Sequence, residues 1–216
     1  MVHTKVVSFD MDGTITDLSF VKSVWLEGIP SLYATKNGIS FEDAKKHVIT
    51  EYAKVGRERL EWYDLGYWTK KLGLDVEPEM VLVSFQNRIR IFPEVNEVLE
   101  GCQDKGFKLI IVTNARRAFL NLELEKTGIG HYFDHVFSST SDFGLIKKAV
   151  DVYQKVCSIC GIYPAEVVHV GDDQCFDFEI PKKLGITAFY LDRTSVASGE
   201  WVIHNLRELG EKITPE

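Results

Sequence analysis

Short apolar runs alternate with amphipathic stretches through the second half of the chain, and this alternation limits the folds open to it. The runs have the length and composition of buried strands, and helical patterns such as 116–126 and 144–160 separate them. The runs are Phe107–Val112, His135–Phe137, Val167–Val170, Thr187–Leu191 and a short one at Trp201–Ile203. Together with a run at 5–9, they predict an α/β fold with a doubly wound parallel sheet of five or six strands.

Residues 15–91 follow a different pattern, with almost no strand signal and three of the four tryptophans, Trp25, Trp62 and Trp68. Helical patterns cover 18–36, 40–55, 57–72 and 78–88. We therefore expect residues 15–91 to form an inserted helical cap domain, and residues 1–14 and 92–216 to form the α/β core. An insertion directly after the first strand lies over the carboxyl edge of the sheet, where a lid can exclude water.

The composition is that of a soluble globular protein of 216 residues, with 45% hydrophobic and 26% charged residues. The net charge of −7 argues against a nucleic acid or an anionic membrane as the main partner. The N-terminal residues enter a predicted strand without a preceding apolar segment, and no stretch of 18 apolar residues follows. The expected location is the cytoplasm.

Two carboxylates follow the first predicted strand, Val6–Phe9. They are Asp10 and Asp12, and Gly13 and Thr14 come next. Residues i and i+2 of an extended segment point the same way, so both carboxylates start on one side of the chain. At the carboxyl end of a parallel strand they could share a metal or divide the roles of nucleophile and acid/base. The alternative is an ordinary Asp-Gly turn.

Two further features occur at a strand end and a helix start. Thr113 and Asn114 follow Leu109–Val112 and could donate hydrogen bonds to an oxyanion, although both are also common helix N-caps. Lys147 and Lys148 open the predicted helix 144–160, where the helix dipole does not favour a cation. A functional lysine and a solvated surface pair both fit this position.

A second acidic group follows the strand Val167–Val170. Gly171 leads into Asp172 and Asp173, and Asp177 comes four residues later. These carboxylates would repel Asp10 and Asp12 at the same sheet edge unless a cation lay between them. Oxygen ligands select a hard cation, and Mg²⁺ suits a site that handles phosphate.

Taken in order, these segments resemble the four motifs of the haloacid dehalogenase-like superfamily. The matching segments are DMDGT at 10–14, IVTNA at 111–115, Lys147, and GDDQCFD at 171–177. The helical block resembles the C1-type cap of subfamily I. The chain departs from the usual pattern twice: Lys148 stands where many relatives have proline, and Asp173 stands where serine is common.

The resemblance implies a role for each motif residue. Asp10 would attack phosphorus and form an aspartyl-phosphate, while Asp12 would protonate the leaving oxygen and then activate water. Thr113 and Asn114 would hold the phosphoryl oxygens, and Lys147 would neutralise developing charge. Mg²⁺ would be bound by the Asp10 carboxylate, the Asp12 main-chain carbonyl and Asp172, with Asp177 acting behind them or through water.

The predicted function is therefore that of a Mg²⁺-dependent phosphatase acting on a small phosphorylated metabolite. A 2-haloacid dehalogenase is disfavoured, because such members attack carbon without Mg²⁺ and typically lack the second aspartate. A sugar phosphomutase shares every core motif and stays an alternative, as does a non-catalytic phospho-acceptor module. Substrate contacts are expected from the cap, with the candidates Trp25, Tyr33, Arg57, Arg59, Trp62, Tyr63 and Trp68.

Overall fold

A computed structural model of the chain describes residues 4–213 and contains one sheet of six parallel strands. The strands are β1 Val6–Phe9, β2 Lys108–Thr113, β3 His135–Ser138, β4 Val167–Gly171, β5 Thr187–Leu191 and β6 Val202–Ile203. Their order is β3-β2-β1-β4-β5-β6. The predicted doubly wound α/β fold is confirmed, and the order of the strands reverses between β1 and β4, where folds of this kind bind ligands.

Strand β1 lies in the middle of the sheet, between β2 and β4. All four of its residues are buried. Val7 and Phe9 belong to the apolar cluster on one face, whereas Val6 belongs to the cluster on the other face. Burial on both faces explains why the strands read as continuous apolar runs. It also places Asp10 at the end of a fully buried strand.

Eleven α-helices, numbered in chain order, are assigned within residues 4–213. They are α1 Ser19–Ser23, α2 Ile29–Asn37, α3 Phe41–Val55, α4 Leu65–Lys71, α5 Pro78–Phe85, α6 Val95–Asp104, α7 Arg117–Thr127, α8 Ser139–Asp142, α9 Val150–Cys160, α10 Ile180–Lys183 and α11 Arg207–Lys212. Two π-helical segments, Val24–Gly28 and Gln174–Glu179, continue into α2 and α10. None of the described helices is long and apolar enough to cross a membrane.

Helices α1–α5 make up the helical insertion, the name used below for residues 15–91. The insertion packs around its own apolar cluster, in which Trp68 is fully buried, and Phe119 of α7 joins this cluster from outside. The remaining described residues, 4–14 and 92–213, are called the core. The shared Phe119 means that the insertion rests on the core through apolar as well as polar contacts.

The chain leaves and re-enters the core at one place. Thr16 and Ile91 pair as an isolated bridge, Asp17 N–H donates to the Arg90 carbonyl at 2.9 Å, and Phe92 N–H donates to the Ile15 carbonyl at 3.1 Å. The two segments that join the insertion to the core, 15–17 and 90–92, therefore lie side by side, and the first of them follows Asp10 and Asp12 in the chain. A movement of the insertion about this pair would act next to these carboxylates.

The helix predicted over 144–160 begins only at Val150, and this part of the prediction was wrong. The Lys147 N–H donates to Asn114 Oδ1 at 2.9 Å, and the Leu145 N–H donates to the Ser139 carbonyl at 3.0 Å. These bonds hold residues 144–149 against the segments that follow β2 and β3 instead of in a helix. Lys147 and Lys148 consequently lie in a turn before α9.

Candidate active site

Carboxylates from three places in the chain meet at the carboxyl edge of the sheet. Asp10 follows β1, Asp172 follows β4, and Asp177 lies in the π-helical segment after β4; an oxygen of each lies within 4.8 Å of the others. Asp10 is 5% exposed and Asp177 is 1% exposed. Gly13 makes the approach possible, since its φ is +83° and a Cβ there would lie 2.1 Å from Asp172 Oδ2.

Burial and the neighbouring carboxylates raise the pKa values of Asp10 and Asp172. Burial raises the pKa of Asp10 well above its usual value, and Asp177 and Asp172 add to this effect. Burial, with Asp177 nearby, also raises the pKa of Asp172 to about 7. A divalent cation would stabilise the ionised forms of both groups. The donor set, oxygens of several carboxylates gathered at one point, fits Mg²⁺.

Lys147 is the cation that the structure places among these carboxylates. The residue is 2% exposed, and its Nζ contacts Asp10 Oδ1 and donates to Asp177 Oδ1 at 2.6 Å and to the Val112 carbonyl at 3.1 Å. Burial alone would lower the pKa of Lys147, but Asp10 and Asp177 outweigh it, so the ammonium stays charged. Lys148 lies outside this site and pairs with Glu58.

Asp177 is anchored on its far side by buried polar groups. His169 Nε2 lies 3.2 Å from Asp177 Oδ1, and the Asp173 N–H donates to Asp177 Oδ2 at 3.1 Å. Burial would raise the pKa of Asp177, but Lys147 and His169 hold it below its usual range. With both oxygens engaged, Asp177 fixes Lys147 in place. His169 was not among the predicted site residues.

Asp12 meets a second buried carboxyl group, that of Glu123 on α7, which sequence reasoning missed. Glu123 is 0% exposed, accepts a 2.9 Å hydrogen bond from Thr16 Oγ1, and interacts with the Asp12 carboxyl. Burial raises the pKa of Asp12 to about 6, and burial raises that of Glu123 well above its usual value. Ionisation of one carboxyl group disfavours ionisation of the other, so the pair favours a state in which either Asp12 or Glu123 keeps a proton.

The amide of Asn114 is oriented by hydrogen bonds to its oxygen. Asn114 Oδ1 accepts from Ser139 Oγ at 2.7 Å and from the Lys147 N–H at 2.9 Å. Its Nδ2 therefore remains directed as a donor and lies 3.4 Å from the Tyr63 hydroxyl of the insertion. Thr113 Oγ1 accepts from the Ala115 N–H at 3.1 Å. Both predicted phosphate-binding residues thus line the same pocket as Asp10.

Three consecutive hydroxyl groups support the loop that carries Thr113 and Asn114. Ser138 Oγ donates to the Ala115 carbonyl at 2.6 Å, Ser139 Oγ lies 3.0 Å from the Thr113 carbonyl, and Thr140 Oγ1 donates to the Asn114 carbonyl at 2.9 Å. All three side chains are buried at the end of β3. The run Ser-Ser-Thr after a predicted strand was a sequence signal that could have revealed them.

The segment 57–64 of the insertion carries polar contacts to the core. Arg57 pairs with Asp173, Glu58 with Lys148 at 2.9 Å, and Asp64 with Arg116 at 2.7 Å. Asp173 also accepts from the N–H groups of Cys175 and Phe176 through Oδ1. Oδ1 of Asp173 therefore caps the start of the helical segment Gln174–Glu179, and Oδ2 binds Arg57 of the insertion.

A cavity of about 520 Å³ extends from Asp10 and Asp12 between the core and the insertion. Of the seven predicted cap contacts, Trp25, Arg57, Trp62 and Tyr63 line it. The other three lie elsewhere: Trp68 is buried inside the insertion, Tyr33 stacks on His47, and Arg59 pairs with Glu61.

Residues 4–183 match the model of a protein family described as haloacid dehalogenase-like hydrolase. The chain belongs to this family. It is 30% identical over 186 residues to the GMP/IMP nucleotidase YrfG of Escherichia coli, covering 84% of this chain and 82% of that protein. It is 23% identical to the phosphoglycolate phosphatase of Pasteurella multocida over 81% of this chain and 80% of that enzyme.

The structure is similar to the crystal structure of a haloacid dehalogenase-like phosphatase from Thermococcus onnurineus. The TM-score is 0.87 at 29% sequence identity, and the match covers 97% of each chain. The family and the α/β fold predicted from the motifs are thus confirmed. With phosphatases and a nucleotidase among its relatives, this haloacid dehalogenase-like hydrolase is classed as a phosphoric monoester hydrolase.

Proposed function

We propose that this hydrolase is a Mg²⁺-dependent phosphatase that cleaves a small phosphorylated metabolite through an aspartyl-phosphate on Asp10. The observation that carries the proposal is the contact between the buried Asp10 carboxylate and Lys147, with Asp12 two residues away. The Lys147 ammonium lowers the pKa of Asp10 against the larger effect of burial, and a bound Mg²⁺ would lower it further, which would favour the carboxylate that attacks phosphorus. The proposed location is the cytoplasm, on the sequence pattern alone.

Mg²⁺ would be held by the Asp10 carboxylate, the Asp12 main-chain carbonyl and Asp172. When bound, the cation supplies positive charge that offsets the phosphoryl oxygens and lowers the pKa of the carboxyl groups around it. Asp177 supports this arrangement from behind, through Lys147.

The other residues act on the phosphoryl group and on protons. Thr113 Oγ1, Asn114 Nδ2 and Lys147 Nζ would hold the phosphoryl oxygens while Asp10 Oδ attacks and the ester oxygen leaves. Asp12 would donate a proton to the leaving oxygen and then take one from the water that hydrolyses the aspartyl-phosphate. Its pKa of about 6 lies near neutral pH, which suits both roles.

We also propose that residues 15–91 act as a cap domain over a core of residues 1–14 and 92–216. In this position Tyr63, Arg57 and the aromatic wall of the cavity would cover Asp10 and exclude bulk water. The names of the relatives suggest nucleoside monophosphates and phosphoglycolate as the first substrates to test. A sugar phosphomutase stays the second candidate, because the same site could return the phosphoryl group to a sugar.

The test is phosphate release from p-nitrophenyl phosphate with Mg²⁺ and with EDTA. Wild type should turn over only with the metal, and Asp10→Asn should lose activity by at least a thousandfold while keeping its melting temperature. Asp104→Asn, an exposed carboxylate at the end of α6, is the matched control and should be as active as wild type. Turnover in EDTA, or an active Asp10→Asn, would overturn the proposal.

A further inference from the structure

We infer that the cavity beside Asp10 binds the leaving group of the substrate, and that this group carries a planar aromatic ring of nucleobase size. The inference rests on the proposed phosphatase function and adds the substrate class. It follows from the volume of the cavity, from the aromatic side chains of its walls and from the ion pairs that its arginines already form.

The cavity volume exceeds what a phosphoryl group needs. At about 520 Å³ it falls within the range of sites that enclose organic molecules of a few hundred daltons. One end is formed by the carboxylates, Lys147 and the segments after β2 and β4, and the other end by the insertion and Phe119 of α7. A substrate with its phosphate at Asp10 therefore has room for a sizeable organic group beneath the insertion.

Aromatic rings form much of the wall. Trp25 lies parallel to Phe119, with 5.6 Å between the ring centroids and 11° between the planes. The Tyr52 ring meets Trp25 and Trp62 edge-on, at 5.8 and 6.1 Å. Trp25 and Trp62 are half-buried, whereas Tyr52 and Phe119 are buried, so the two tryptophans present ring surface to the cavity. A flat ring gains most from such walls, by stacking and edge contacts.

Each guanidinium group in the lining already pairs with a protein carboxylate, and the buried Nε of Arg116 has no hydrogen-bond partner. Arg57 pairs with Asp173 and stacks on Phe176 at 4.6 Å, and Arg116 pairs with Asp64. Besides Lys147, the remaining cation of the lining is Lys22, which is exposed. A second anionic group, such as the carboxylate of phosphoglycolate, would have to compete for an arginine that holds a protein carboxylate. An uncharged ring can bind without competing with a protein carboxylate for an arginine.

Tyr63 separates the phosphate end of the cavity from the aromatic end. Its hydroxyl donates to the Arg57 carbonyl at 3.0 Å and lies 3.4 Å from Asn114 Nδ2. The phosphoryl group would lie on the Asn114 side and the ring on the side of Trp25 and Trp62. A nucleoside monophosphate, with a sugar between phosphate and base, has this order of groups.

The decisive comparison is GMP and AMP against ribose 5-phosphate, which keeps the phosphate and the sugar but lacks the base. We expect kcat/KM to be at least tenfold higher for the nucleotides, with 2-phosphoglycolate no better than ribose 5-phosphate. Trp62→Ala should reduce the nucleotide-to-ribose ratio at least fivefold, and Trp62→Phe, which retains a ring, should restore most of it. Tyr163→Ala removes an aromatic side chain that is 77% exposed and should leave the ratio unchanged.

Binding gives a second readout that needs no turnover. In Asp10→Asn, GMP should quench tryptophan fluorescence, and ribose 5-phosphate at the same concentration should not. Equal kcat/KM for ribose 5-phosphate and the nucleotides, or a ratio unaffected by Trp62→Ala, would overturn the inference and leave the phosphatase proposal standing. Absence of phosphate release from every ester in Mg²⁺ would overturn both.

Discussion

The Arg57 guanidinium of the insertion and the Asp173 carboxylate of the core form an ion pair, with Nη1 and Oδ2 2.5 Å apart. The next residue, Glu58, pairs with Lys148. Lys148 and Asp173 are the two positions at which the chain departs from the usual motif pattern of its family. Lys148 and Asp173 therefore pair with consecutive residues of the insertion. This indicates that the two side chains hold the insertion on the core instead of taking part in catalysis.

Reversal of one charge should weaken this docking. Glu58→Lys places a cation opposite Lys148, so we expect KM to rise about two- to fivefold, since exposed ion pairs are individually weak. The double variant Glu58→Lys/Lys148→Glu should recover the wild-type KM. In roughly 1 M salt, which screens exposed ion pairs, the differences in KM between the variants should become smaller. A double variant as impaired as the single one would contradict the docking role.

The hydroxyl group of Ser139 should act through Asn114. Ser139→Ala removes a donor to Asn114 Oδ1, so the amide can rotate, and kcat/KM should fall about tenfold. In an Asn114→Ala background the same change should cost less than twofold. Ser158→Ala, at an exposed position of α9, is the control. Additive losses in the double variant would mean that Ser139 serves only the stability of the loop.

Stabilisation by Mg²⁺ should depend on pH. The folded-state pKa of Asp172 is raised to about 7, whereas an unfolded aspartate has a pKa of about 3.9. Without metal, the contribution of Asp172 to stability is therefore full below about pH 4 and is lost as pH rises through 7. Mg²⁺ must displace this proton, so its effect on Tm should grow between pH 5 and pH 8.

Thermal denaturation with and without Mg²⁺ at several pH values measures this effect. Asp172→Asn should show little stabilisation by Mg²⁺ at any pH. An equal rise in Tm at pH 5 and pH 8 in wild type would rule out Asp172 as the protonated ligand.

Glu123 should be replaceable by glutamine but not by leucine. Glutamine can still accept from Thr16 and donate to Asp12, so kcat should stay within about threefold of wild type. Leucine leaves the Asp12 carboxyl without its buried partner, although Thr16 Oγ1 keeps the Met11 carbonyl, and kcat should fall at least tenfold. Steady-state kinetics on both variants tests this: wild-type kcat in both would mean that Glu123 only fills space, and equal losses in both would contradict a role that the glutamine amide can replace.

Much of the core could be predicted because its signals are local. Each buried strand is a continuous apolar run, and the motif residues follow these runs directly, as Asp10 and Asp172 do. The parallel topology then brings strand ends together without further information. The family resemblance supplied the order of the motifs and the roles expected of their residues.

The remaining features depend on contacts between distant residues. Glu123 reads as an ordinary helical glutamate, and only the packing of α7 against Thr16 makes it a buried partner of Asp12. The late start of α9 depends on the bond from Lys147 to Asn114, which are 33 residues apart in the chain. The pairs of Arg57 and Glu58 likewise depend on how the insertion lies on the core. Helical periodicity alone does not contain this information.

Covalent trapping would show whether Asp10 carries the phosphoryl group during turnover. Asp12→Asn removes the base that activates water, whereas p-nitrophenolate leaves without a proton donor, so the aspartyl-phosphate should accumulate. We would quench this variant in acid during reaction with p-nitrophenyl phosphate and Mg²⁺ and analyse its peptides by mass spectrometry. We expect one phosphoryl group on Asp10. A phosphoryl group on another residue, or an unmodified Asp10 peptide while wild type turns over, would contradict it.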